Sequence, residues 1–401
     1  MVDSLLENLQ RALERFPRDR YPVKHASIQR QIGLASASTG ELADAEAAFR
    51  FALEAYDEDL PVERGDTLNA LGAVLRDSGR FEEAAEVFRE AISLFALPEG
   101  VAESGIAHYN LGLVLRELGD ESGTSAAFEL AVASLEPESH PSELGAALRE
   151  LGSTLLTGGK LDEAASFLER SLDLAADGGD RAGLGASANL LGLAKLALGD
   201  GEGARELFAE SASANALTLR PEGHAMAKAN LALAYEATDR LDRARLAAQQ
   251  ALSVVAAPPM VTQQAQAILE RLGPEYDLHV VLDDESASGW GGILRDEIRH
   301  WARLSQPRRR ELAIGWITGL TSRRETAVKR LEALFNAMLE LSPESFDLVA
   351  DALVEAAMSL DEQASVEFHA SSSRAAAYFH VPQMTRIEAA LAPITNRRRT
   401  S

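Results

Sequence analysis

Along the first two-thirds of the chain, apolar and small residues recur in a pattern that itself repeats. The stretches "QIGLASASTGELADAEAAFRFAL", "ALGAVLRDSGRFEEAAEVFREAI" and "NLGLVLRELGDESGTSAAFELAV" align without gaps. So do "ELGSTLLTGGKLDEAASFLERSL", "LLGLAKLALGDGEGARELFAESA" and "NLALAYEATDRLDRARLAAQQAL". A small residue falls at Gly33, Gly72, Gly112, Gly152, Gly192 and Ala232, spaced by 39 and then by 40 residues. Apolar residues around it keep helical spacing, as Leu68, Leu71 and Leu75 do, and predict a first helix. Seven residues later comes Gly40, Gly79, Gly119, Gly159 or Gly199, with Asp239 in the last copy. A helix needs a left-handed C-terminal cap at such a point. A second helix follows with Ala45, Phe49 and Ala52, then Ala84, Phe88 and Ala91. Small and large residues thus share one face, so the two helices can pack closely as an antiparallel pair. "GAVLRDSG" has the look of a phosphate loop but lacks the Lys-Ser/Thr that one requires.

This combination of small residue, alanine, aromatic and alanine, six times in register, resembles the tetratricopeptide repeat (TPR). The usual repeat is about 34 residues, so the 40-residue period resembles the longer subclass of kinesin light chains and bacterial scaffold proteins. Pro22, Pro61, Pro141 and Pro221 each precede the small residue by 11 positions, where proline suits the first position of a helix. The first helices are therefore expected to be long. Leu5, Leu9, Ala12 and Leu13 match a second helix one period early, giving a half repeat over 1–20. Six repeats over about 22–257 follow, and "MVTQQAQAILERLG" reads as a closing helix within 259–273, since solenoid ends need covering. The fold class expected is all-α: a right-handed TPR superhelix of about six repeats with caps, then a small helical C-terminal domain.

The resemblance implies a concave groove lined by the first helices, at positions 5, 6, 9, 12 and 13 of each repeat. Mapped here, these give Arg30, Gln31, Asn69, Tyr109, Asn110, Arg149, Asn189 and Asn230, with Arg76, Asp77, Arg116 and Glu117 farther along. Asparagine offers a donor and an acceptor to a peptide backbone, and arginine can grip a carboxylate with two bonds. Relatives that clamp chaperone C-terminal carboxylates use asparagine at position 9. Here that position reads Leu34, Ala73, Leu113, Ser153, Leu193 and Leu233, which suits an apolar or helical ligand.

After Gly273 the register is lost. "HVVLDDESASGWGG" at 279–292 opens with an apolar run, read as a short extended segment. Its small, polar remainder reads as a linker over 274–289 that also offers helix caps. Five stretches with helical spacing follow: "WGGILRDEIRHWARLS", "RRRELAIGWITGL", "SRRETAVKRLEALFNAMLEL", "PESFDLVADALVEAAMSL" and "VPQMTRIEAALAPI". They predict a helical domain over 290–401 ending in a flexible basic tail, 395–401. All three tryptophans lie here; burial is the ordinary fate of such residues. Trp290 and Trp301, with the basic run Arg308, Arg309 and Arg310, remain candidates for contact with a partner.

The formal net charge is −23, with −19 over 1–273 and −4 over the rest. An acidic surface repels nucleic-acid backbones and anionic lipid, so neither is an expected partner. Cysteine is absent, which excludes disulfides, thiolate metal sites and a thiol nucleophile. No HExxH or GxSxG motif occurs, and no metal or cofactor is expected. The N-terminus lacks a signal-peptide pattern and no apolar run reaches bilayer length; a cytoplasmic protein is expected. Lysine supplies only five of 39 basic residues, as in GC-rich bacterial genes. The function expected is a non-enzymatic scaffold or adaptor holding a protein or peptide, with assembly or maturation of a multi-subunit complex as one form. The alternative is a peptide-sensing regulator whose output is the C-terminal domain. Oligomeric state is not legible.

Overall fold

The computed structural model describes residues 2–56, 60–95 and 101–396. Among them there are twenty-one helices and no strand. Helix α1 (Val2–Arg15) precedes six helical hairpins. These are α2 (Pro22–Ser38) with α3 (Leu42–Leu53), α4 (Pro61–Asp77) with α5 (Phe81–Leu94), and α6 (Val101–Glu117) with α7 (Glu121–Ser134). Then come α8 (Pro141–Thr157) with α9 (Leu161–Asp177), α10 (Arg181–Ala197) with α11 (Gly201–Ala214), and α12 (Pro221–Ala237) with α13 (Leu241–Leu252). Helix α14 (Pro259–Leu272) follows.

The repeat signals act as expected. Each of the four prolines is the first residue of its helix, where a missing N–H costs no hydrogen bond. Gly79 adopts φ 74°. Its N–H donates to the Arg76 carbonyl, and the Arg80 N–H reaches back to the Leu75 carbonyl, closing the turn as a Schellman cap does. The same left-handed backbone recurs at the four equivalent glycines, and at Asp239 with φ 57°. Gly72 serves another purpose: a Cβ there would lie 2.6 Å from the Phe88 ring, which is fully buried. Burying that ring contributes about 2–3 kcal/mol, and only glycine lets it lie flat against α4.

The chain divides into two compact units, Met1–Asn215 and Ala216–Ser401. The break falls one repeat before the expected boundary at 273. The physical reason lies within the second unit, where the sixth repeat is bonded to the C-terminal helices. Leu246 of α13 belongs to their apolar core. Buried Arg243 donates to the Val281 carbonyl and pairs with Asp284 and Glu285. Residues 274–289 are therefore no free linker. "HVVL" lies not in an extended strand but in a helix, α15 (Leu278–Asp283), capped by the Asp277 side chain. Leu278, His279, Val281 and Leu282 are all buried.

Six helices complete the second unit: α16 (Trp290–Arg303), α17 (Gln306–Thr321), α18 (Ala327–Leu339), α19 (Pro343–Ser359), α20 (Glu362–Ala376) and α21 (Val381–Asn396). Five match the predicted stretches. The sixth, α20, was not anticipated; its apolar face is thin and serine-rich, with Phe368, Ala375 and Ala376 buried beside Ser371 and Ser372. Apart from the end of α21, the expected basic tail lies outside the described residues.

Candidate functional site

The first helices of the repeats lie next to one another, α2 against α4, α4 against α6 and α8 against α10. Their polar residues do not simply face solvent. Asn110 Nδ2 donates to Asn69 Oδ1 at 3.0 Å, and Arg76 donates to Asn110 Oδ1 at 3.3 Å. Arg116 on α6 pairs with Glu150 on α8, and Arg30 on α2 pairs with Asp66 on α4 at 3.6 Å. Arg76 and Arg116 occupy position 12 of their repeats and reach position 6 of the next. The arginine stripe expected for a ligand thus has a second task, tying consecutive repeats together. Burial raises the Asp66 carboxyl above its usual range, and Arg30 opposes that shift.

Around Tyr109 the face changes character. Its ring lies 6.0 Å from that of buried Phe128. Burial raises the phenol above its ordinary range and Glu150 adds to this, while Arg149, Arg76 and Arg116 work in the opposite direction. Three guanidinium groups and one carboxylate thus act on a single phenol, on a protein of net charge −23. Leu113, one turn along α6, is only partly covered and packs on the same core cluster as Tyr109. At the start of the array Gln31 is exposed and Leu34 is 47% exposed. Asn189 and Asn230, also expected on the groove, are instead buried. Asn230 accepts from Gln264 of α14 at 2.9 Å, which makes it part of the packing of the closing helix.

The C-terminal contact candidates are corrected by burial. Trp290 and Trp301 lie in the core, with indole N–H groups donating to the Leu282 carbonyl and the Glu297 carboxyl. Arg309 is buried too, and donates to the carbonyls of Trp301, Ala302 and Leu304 at the end of α16. Of the basic run only Arg308, paired with Glu311, and exposed Arg310 reach the surface.

Three charged residues sit on apolar stripes, and two of them, Glu297 and Arg330, are not among the candidates the pattern offers. Glu297 falls among Leu294, Ile298 and Trp301, and Arg330 among Ala327, Leu331 and Leu334; all are buried. Arg309 falls in line with Ala313, Trp316 and Leu320 in the same way. A charge at a core position of a helix was the legible signal, because such a group needs a partner to be buried at all.

Arg330, with Arg323 and Arg243, makes the acidic triplet of 283–285 an ion-pair hub. Arg330 donates to His279 Nδ1 and to the His279 carbonyl, each at 3.1 Å, and also pairs with Asp283. Arg323 donates to Asp283 at 2.8 Å. Burial works to raise Asp283, but the two arginines hold it below the usual carboxylate range. His279 stacks on Trp316 with centroids 4.4 Å apart and bonds its carbonyl at 2.7 Å. Burial lowers the imidazole to about 4. It is therefore neutral near pH 7, with Nε2 donating to Trp316 and Nδ1 accepting from Arg330.

Known proteins give the class. Models described as tetratricopeptide repeat match residues 24–97, residues 69–138 and 189–260, and residues 147–182. The chain belongs to the tetratricopeptide repeat family through these residues; its C-terminal helices match no family model. None of the curated proteins matches the chain. Solved structures similar to it include BtubC (BKLC) from P. vanneervenii, at 18% identity over 54% of this chain and 89% of that one, with a TM-score of 0.47. Another is pilF of Pseudomonas aeruginosa, at 18% identity over 60% and 96%, TM-score 0.47. A kinesin-light-chain-type protein of Podosopora anserina is similar at 21% identity over 55% and 100%, TM-score 0.40. Among the described residues no helix is long and apolar enough to cross a membrane.

Proposed function

We propose that this protein is a non-enzymatic scaffold or adaptor that holds a carboxylate-bearing protein segment against the first-helix face of residues 22–197. The observation that supports this is the patch at the third and fourth repeats. Tyr109 and Leu113 pack on one core cluster, and the Arg149 guanidinium acts on the Tyr109 phenol; neither Tyr109 nor Arg149 makes a side-chain hydrogen bond or ion pair among the described residues. Arg76 and Arg116 flank them and can turn from their present partners to an arriving carboxylate. Leu113 gives the segment an apolar anchor. A scaffold of this kind can keep a subunit from premature contacts, so assembly or maturation of a multi-subunit complex is the finer role we assign.

Co-purification from the native host tests the reading. Partners recovered by the unmodified protein should be lost from a Tyr109→Ala, Arg149→Glu double variant. They should remain with Arg89→Glu, a charge reversal at an exposed site on α5. Equal recovery by all three proteins, each shown to be folded, would sink the assignment.

A further inference from the structure

Charge is segregated along this chain more sharply than its total shows. Residues 11–30 carry six arginines and lysines against two carboxylates, on a protein of net charge −23. Residues 331–373 carry nine carboxylates and no lysine or arginine at all. The first stretch lies in α1, α2 and the turn between them, the second in α18, α19 and α20.

The basic stretch gathers around two aromatic rings. The Lys24 ammonium lies 4.0 Å from the centroid of the Phe16 ring, and the Arg15 guanidinium 5.8 Å from it. Tyr21 is exposed and meets the same ring edge-on at 5.5 Å. Arg18 lies 4.7 Å from the Phe51 ring and pairs with Glu54. Arg15, Arg20 and Lys24 are exposed, and none of the three has a carboxylate partner among the described residues. Two cations that share a ring with no carboxylate between them repel each other, and an arriving carboxylate relieves that repulsion.

The acidic stretch presents the complement on one helix face. Glu344, Asp347, Leu348, Asp351 and Glu355 recur at three- and four-residue steps along α19, so they share a face. All but Glu355 are exposed. Glu355 accepts from Gln306, and Glu340 and Glu367 on the flanking helices are paired with Arg295 and Arg324. Glu344, Asp347 and Asp351 have no ion pair among the described residues. Arg386 also packs on α19, but over Phe346 on its buried side.

We propose that a second copy of this chain covers these surfaces: the Arg15–Lys24 patch of one copy docks on the α19 face of the next. Exposed Tyr21 and Val23 on one side and Leu348 on the other give the contact an apolar part. Because the two patches differ, the contact is heterologous, and each copy keeps one patch for a further copy. A nucleic acid or an anionic bilayer would carry its charge past the patch and onto the acidic remainder of the protein. The acidic face of α19 is only about 17 Å long. In about 0.15 M salt the Debye length is about 8 Å, so charges within the contact outweigh the repulsion between whole copies.

Sedimentation velocity of the full chain tests this. In about 0.15 M salt the chain should be monomeric at about 5 µM, associate by about 200 µM, and dissociate again in about 1 M salt. An Arg15→Glu, Lys24→Glu variant should associate about tenfold more weakly or worse. The same is expected of Asp347→Lys, Asp351→Lys, each variant keeping the circular dichroism and melting temperature of the unmodified chain. Mixed in equal amounts the two variants should associate, because each retains the surface that the other has lost. The Tyr109→Ala, Arg149→Glu variant should associate like the unmodified chain. A chain still monomeric at about 200 µM, or a reversal variant that associates undiminished, would overturn the assignment. So would loss of association in the Tyr109 variant, none in the mixture, or a monomeric chain that phosphatidylserine vesicles retain through Arg15 and Lys24.

Discussion

Arginine–carboxylate pairs hold both units of this protein, but in different surroundings. In the repeats, Arg116 and Glu150 pair on a solvated face, with the arginine side chain 46% exposed. In the second unit, Arg330 is 1% exposed and bonds His279 and Asp283 while its guanidinium lies 4.8 Å from the centroid of the Trp290 ring. The difference teaches where each pair matters. A solvated pair is screened and contributes little to stability, so its residues are free to serve a ligand. A buried arginine has lost its water, and removing its neighbours or its own charge leaves the rest unsatisfied. The first arrangement suits a recognition face, the second a joint.

The largest expected effect breaks the joint. Arg330→Ala should destabilise the second unit by about 3–5 kcal/mol, read as urea unfolding followed by tryptophan emission. A loss below about 1 kcal/mol would show that the two settings are equivalent after all. All three tryptophans lie in that unit, so the probe does not mix it with the first five repeats.

Acid should act on the same joint. The unfolded chain takes up the His279 proton near the ordinary value of 6.5, whereas the folded protein resists it down to about 4. The stability this group contributes is complete above 6.5 and is lost as pH falls toward 4, a change of about 3 kcal/mol at most. Chemical denaturation at pH 7 and pH 4.5 should show that loss, and His279→Asn should flatten it. A variant that keeps the full pH dependence would assign the effect to other groups.

Within the repeats, packing should outweigh charge. Gly112→Ala drives a Cβ to 2.6 Å from the Phe128 ring and should cost about 1–3 kcal/mol. Gly145→Ala, whose Cβ meets nothing nearer than 3.8 Å, should be neutral or stabilise by up to about 1 kcal/mol. Melting curves followed by circular dichroism compare the two directly, and the same shift in both would remove the close-approach explanation. The smallest effect is expected for Arg116→Ala, under about 1 kcal/mol in the same melts. Its loss should show in partner recovery instead, which separates recognition from stability at one residue.

The repeats were legible because their signals are local. Proline at a helix start, glycine in the left-handed turn and phenylalanine opposite glycine depend on neighbours within one hairpin. The groove candidates were legible only as positions. Asn110 and Arg76 were named one by one, whereas their hydrogen bond to each other depends on how neighbouring repeats stack. Asn189 and Asn230 share that register but are buried. Trp290, Trp301 and Arg309 were read as potential surface contacts because their spacing shows a helix face without showing what covers it.

The sequence alone determined a helical repeat array, its period, its turns and its acidic balance, since each follows from short-range sterics or from counting charges. Tertiary structure alone decided the rest. It drew "HVVL" out of the linker and into a helix with three of its four residues buried, where Arg330 and Arg243 reach it from positions 51 and 38 residues away. It also brought the Tyr276 hydroxyl and the Trp301 indole together on the Glu297 carboxyl, although the pattern of α16 said only that Glu297 faces inward. Burial and partnership are properties of the whole packed unit, and a linear pattern can flag the residue that needs a partner without naming which partner it finds.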